Sequence, residues 1–112
     1  MRIYTLVLLG AAACADQGPP TPQQQAETYF DEQVYPVLVQ QCQSCHTSDG
    51  VAFMGTDAGS TYVDLTTSAL TDNFSNSAPF MTTMENGNHF GGPSGDAMSV
   101  FEQWFALEQA AR

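Results

Sequence analysis

Cys42, Cys45 and His46 stand in the pentapeptide Cys42-Gln43-Ser44-Cys45-His46, and their spacing suits one chemistry above others. Two thiols so spaced at the end of a helix reach the two vinyl groups on one edge of a haem and form thioethers with them. The adjacent histidine then falls beneath the iron and offers the proximal nitrogen. C-x-x-C-H is the signature of such covalent attachment of a single haem c. The chemistry would be one-electron exchange at iron. Other readings use fewer of these residues. A redox dithiol belongs near a βαβ pattern, and none is found here. A zinc site needs four ligands, and no second C-x-x-C or H-x-H cluster completes the set. A disulfide between Cys42 and Cys45 leaves His46 without a role.

The first residues bear on where this chemistry would take place. Arg2, the apolar run from Ile3 to Leu9 and the small residues Gly10-Ala11-Ala12-Ala13 read as a secretory signal peptide over residues 1–13. The run is far shorter than the ~20 residues a membrane helix needs. Cys14 comes next, and its position resembles the lipobox of bacterial lipoproteins, with Ala11 where leucine is usual. An acylated Cys14 would account for the odd cysteine of an exported chain. Residues 14–21 then form a lipid-anchor cysteine with a stiff polar linker containing Gly18-Pro19-Pro20. Asp16 is not at the position usually linked to inner-membrane retention, which favours the outer membrane on its periplasmic side.

Residues 22–112 have the length of one small domain. So short a chain buries a modest core and commonly needs a staple, which a covalently held haem would be. Phe30, Phe53, Phe74, Phe80, Phe90, Phe101, Trp104 and Phe105 are the aromatics available to line it. The chain has 2 basic and 12 acidic residues and a net charge of −10. Nucleic acid is therefore excluded as a partner, and a membrane is met only through the lipid anchor. A redox protein with a basic docking face is the complementary partner.

Helical elements must position the motif. Thr21-Pro22-Gln23-Gln24 predicts a helix start with a threonine N-cap, a proline in the first turn and a capping box. Phe30, Val34, Val37 and Leu38 continue at helical spacing to Cys42, with Pro36 expected to kink the helix or leave one hydrogen bond unmade. Ser94-Gly95-Asp96 predicts a second helix carrying Ala97, Val100, Phe101, Trp104 and Leu107, its apolar face against the first. That face reads chiefly as simple core, with Trp104 or Phe101 the residues that would reach a haem edge. Between them, 47–93 is rich in Gly, Ser, Thr, Asn and Asp, with helical turns expected at Tyr62-Val63-Asp64-Leu65 and from Ser77 to Met84.

This order of helix, C-x-x-C-H, loop-rich middle and aromatic C-terminal helix resembles the class I monohaem c-type cytochromes over Thr21 to Arg112. Val34-Tyr35-Pro36-Val37-Leu38 and His89-Phe90-Gly91-Gly92 are similar to stretches in short bacterial cytochromes of the planctomycete and myxobacterial kind. The resemblance implies an all-α small cytochrome c fold, N- and C-terminal helices packed together with a haem-wrapping middle. It implies export, since haem c is attached outside the cytoplasm. The chain lacks a Met-Pro ligand loop and a proline soon after His46.

In that family the distal iron ligand lies in the loop shortly before the last helix. Met54, Met81, Met84, His89 and Met98 are the candidates. Met54 is close behind His46, and Met98 falls within the final helix. His89 is nearest the required place, among glycines that let a backbone approach a flat ring. Met84 is the second choice and Met81 the third. Two axial ligands would make the protein a carrier of single electrons between redox proteins of the bacterial envelope, not an enzyme. The alternatives are a haem subunit of a larger oxidoreductase and, less favoured, a gas sensor or peroxidase-like enzyme. A peroxidase usually has a distal arginine, and beyond the leader the chain has only Arg112.

Overall fold

A computed structural model describes residues 18–47, 52–85 and 95–112. Among these the fold is all-α: helices α1 (Pro22–Tyr29), α2 (Tyr35–Gln41), α3 (Gln43–His46), α4 (Ala58–Thr66), α5 (Pro79–Glu85) and α6 (Gly95–Ala110), with a π-turn at Phe30–Val34 and a 3₁₀ turn at Asp72–Phe74. None of these helices is long and apolar enough to cross a membrane. The expected signal peptide and Cys14 lie outside the described residues.

The capping box expected at Thr21 is present. Gln24 N–H donates to Thr21 Oγ1 over 3.1 Å, and Thr21 N–H donates back to Gln24 Oε1 over 2.8 Å. Pro36 neither breaks the helical path nor simply kinks it. Its ring and missing N–H disturb the bonding of the preceding turn, and the chain widens there into the π-turn, closed by Tyr35 N–H on Phe30 O. The widening also sets the register. Ala26, Phe30, Val34, Leu38 and Cys42 are all buried, each four positions after the last. In a regular α-helix, residues four apart step roughly 40° around the axis, so such a row would drift off one face. The π-turn advances less per residue and returns Leu38 and Cys42 toward the side that buries Phe30.

That row packs against α6, as expected from the apolar face of each. Phe30 lies 4.9 Å from Trp104 between ring centroids. Trp104 also meets Phe74 at 5.1 Å and Phe105 at 5.5 Å, mostly edge to face, the arrangement aromatic quadrupoles favour. Asp96 is in the first turn of α6, where a carboxylate suits the helix dipole; Ser94, its expected cap, lies outside the described residues.

The turns expected in the middle are full helices. Asp57 caps α4 by accepting from Ser60 N–H over 2.8 Å, and this bond holds its carboxyl below the usual range. Phe74 ends a run of three residues, Asp72, Asn73 and Phe74, with φ of 33°, 56° and 57°. Left-handed backbone costs roughly 1–2 kcal/mol per non-glycine residue. The surroundings hold it: Gln109 Nε2 donates to Phe74 O over 2.5 Å, and the Arg112 guanidinium lies 4.6 Å over the Phe74 ring.

Candidate functional site

The motif begins where α2 gives way to α3. Cys42 N–H still donates to Leu38 O over 2.9 Å, so Cys42 continues the first helix. Its φ of −122° then turns the chain, and His46 N–H donates to Cys42 O over 3.0 Å. These bonds hold both thiols and the imidazole on two successive turns. The thiols have different surroundings. Cys42 is buried at the end of the apolar row, whereas Cys45 is exposed, and neither forms a disulfide. Burial, with Cys45 beside it, pushes the Cys42 thiol from its ordinary 9.0 up to about 11. A redox dithiol needs the opposite shift, toward thiolate at neutral pH. Nor do three or more His, Cys, Asp or Glu gather into a metal-holding group among the described residues.

His46 opens onto a recess of ≈ 200 Å³ lined by His46, Phe53, Leu70, Pro79, Phe80, Thr83 and Met84. Its lining comes from four places in the chain, joined in two pairs by backbone bonds. Met54 N–H donates to His46 O over 3.1 Å, which lays the 52–55 segment beside the motif and stacks Phe53 on the imidazole at 4.5 Å. Phe80 N–H donates to Leu70 O over 2.8 Å, fastening the start of α5 to the turn after α4. Thr71, fully buried beside it, donates its hydroxyl to Leu65 O over 2.9 Å. The recess is thus tied to the framework at each wall.

No family model, curated protein or solved structure matches the chain.

The residues that fit a haem are therefore judged by their own chemistry. A flat apolar macrocycle needs apolar walls, two thiols at one edge and a nitrogen ligand beside it. Phe53, Leu70, Pro79 and Phe80 supply the walls, Cys42 and Cys45 the thiols, and His46 the nitrogen. The set fits.

The structure sorts the distal candidates. α5 turns Pro79, Phe80, Thr83 and Met84 toward the recess, and Met84 is buried there. Met81, on the same helix, lines a separate hollow with Glu85, Glu102 and Phe105. Met54 is buried, and Met98 packs against the core from α6. His89 and Phe90 lie outside the described residues.

The aromatics divide between the core and the recess. Trp104 and Phe101 are not among the residues lining the recess. Phe80 stands between, its ring 5.1 Å from Phe101 and 6.3 Å from Trp104. Nor do all the aromatics surround the site: Phe30, Phe74, Phe101, Trp104 and Phe105 form the core behind it. Sequence reasoning also missed Glu108, fully buried and accepting from Tyr62 O–H at 2.6 Å and Trp104 Nε1–H at 3.1 Å. Its spacing from Trp104, one helical turn, was the available signal.

Proposed function

We propose that the chain is a monohaem c-type cytochrome that carries single electrons between redox proteins in the bacterial envelope. The observation that supports this best is that the histidine of C-x-x-C-H opens onto an apolar recess that also receives Met84. Bound haem supplies a reversible one-electron couple at iron. Cys42 and Cys45 would hold it by thioethers, and His46 would supply a nitrogen ligand to the iron. Phe53, Leu70, Pro79 and Phe80 exclude water, an environment that tunes the potential. Of the methionines, Met84 is the distal candidate, because it lines the same recess and Met81 does not. His89, the first choice from loop position, is the alternative. Histidine with methionine gives a higher potential than two histidines. The net charge of −10 suits a partner with a basic docking face, and acylated Cys14 would hold the carrier at the membrane.

The test is expression of the full chain in a host that attaches haem c. Covalent haem is expected by mass spectrometry of the denatured protein, lost when Cys42 and Cys45 are replaced by alanine. A reduced spectrum unchanged by carbon monoxide supports a carrier; rapid binding of the gas supports a sensor or peroxidase-like enzyme. Near-infrared magnetic circular dichroism of the oxidised form separates a methionine ligand from a second histidine. Co-purification with a larger oxidoreductase would assign the chain as its subunit.

A further inference from the structure

Tyr62 and Trp104 come from different helices and donate hydrogen bonds to one and the same oxygen. Tyr62 O–H donates to Glu108 Oε2 over 2.6 Å, and Trp104 Nε1–H to that atom over 3.1 Å. Glu108 and Trp104 are fully buried. Gln23 Nε2 donates to the phenol oxygen over 2.7 Å, which leaves the phenol proton directed at the carboxylate. The Phe30 ring bridges the pair, 5.1 Å from Tyr62 and 4.9 Å from Trp104. Phe80, a wall of the recess, lies 6.3 Å from Trp104 on the other side.

Tyrosine and tryptophan are the aromatic side chains that most readily give up one electron. An oxidised phenol is so strong an acid that its electron leaves with its proton, and a buried phenol therefore needs a base within hydrogen-bond reach. Burial, and then the bond to Glu108, holds the Tyr62 phenol above its ordinary range, so the neutral phenol is the species present. The charged groups around the cluster divide in sign. Arg112, at the end of α6, donates to Glu108 Oε1 over 3.4 Å and sets a positive charge beside it. Glu27, on α1, adds negative charge near Tyr62.

We propose that Tyr62 is a redox-active tyrosine, with Glu108 as its proton acceptor and Trp104 as the relay toward the recess. The co-reactant is a strong one-electron oxidant. It takes one electron from Trp104, and Tyr62 returns one electron to the oxidised indole. As it does so the Tyr62 O–H bond breaks, and the proton crosses to Glu108 Oε2. The products are the reduced oxidant, a neutral tyrosyl radical and a protonated Glu108; Trp104 is restored. The site would lead an oxidising equivalent away from the recess to a half-buried side chain. It stands on α1, α4 and α6 and does not depend on what the recess holds.

The test is flash photolysis of the full chain, with or without haem attached, using a photogenerated ruthenium(III) polypyridine oxidant, followed by freeze-quench electron paramagnetic resonance. A neutral tyrosyl signal is expected in the parent protein. Tyr62→Phe should abolish it although Tyr29 and Tyr35 remain, and Tyr35→Phe should leave it unchanged. Glu108→Gln accepts hydrogen bonds but takes up no proton, so the neutral radical should be lost there. Trp104→Phe should delay its appearance. An undiminished tyrosyl signal in Tyr62→Phe overturns the proposal, as does unchanged radical yield in a folded Glu108→Gln. If Glu108→Gln loses its helical circular dichroism, Tyr62→Phe decides alone. A purely structural role for the cluster would change stability and leave the radical elsewhere.

Discussion

Met81 and Met84 share one helix, yet one lines the recess beside His46 and the other faces Glu85 and Glu102. If haem c is attached, Met84→Ala should open the distal site, giving rapid carbon monoxide binding and a lower potential, while Met81→Ala should leave the spectrum unchanged. A Met84→Ala protein that stays low-spin and indifferent to the gas would return the assignment to His89. Cys42 carries a second prediction at this scale. In protein without attached haem, its thiol titrates near 11, against 9.0 for an ordinary thiol. A folded-state value raised in this way gives stability that is complete below about 9 and lost as pH rises through about 11. Denaturant midpoints of the haem-free protein should fall across that window. With the thiol converted to a thioether, the loss should vanish.

At the scale of elements, short connections between helices set the walls of the recess. Gly55 ends the segment that carries Phe53. A Cβ there would meet Ser60 Oγ at 2.2 Å and Ser60 Cβ at 2.8 Å, the residue that completes the cap of α4. Gly55→Ala should therefore destabilise the fold by about 1–3 kcal/mol and displace Phe53, read as a lower melting temperature with a shifted potential in haem-bearing protein. The cap of α1 is farther from the site. Thr21→Ala should cost about 1 kcal/mol and leave the potential unchanged. The π-turn acts on the site from a distance, since it returns Cys42 to the buried side.

Across the whole molecule, the first and last helices are joined by packing and by one buried carboxylate. Glu108 gathers Tyr62 from α4, Trp104 from its own helix and, through Tyr62, Gln23 from α1. Glu108→Ala leaves the phenol and indole donors without this acceptor, and a loss of about 3 kcal/mol is expected in urea unfolding. Tyr62→Phe removes two hydrogen bonds, to Glu108 and from Gln23, and should cost about 1–3 kcal/mol. Net charge belongs to this scale too. At −10, electron exchange with a basic partner should slow steeply as salt rises, since charges more than about 10 Å apart are screened at 0.1 M. Exchange with an anionic complex should show the opposite trend in stopped-flow rates.

Patterns local in the chain were legible as sequence. The capping box of Thr21, the apolar row from Phe30 to Cys42 and the aromatic face of α6 each span a few turns, and helical spacing alone expresses them. The C-x-x-C-H spelling named its candidate chemistry in the same way, because its residues are neighbours in the chain. What the tertiary structure decided depends on residues far apart. Leu70 and Phe80 become one wall through a bond between turns, and Phe80 lines the recess with Trp104 behind it in the core. Met84 is separated from Met81 by the rotation of a short helix, which composition does not reveal. Glu108 is buried, and one of its donors, Tyr62, lies 46 positions away in the chain. A charged residue near the end of a helix reads as solvent-facing until the fold supplies its donors.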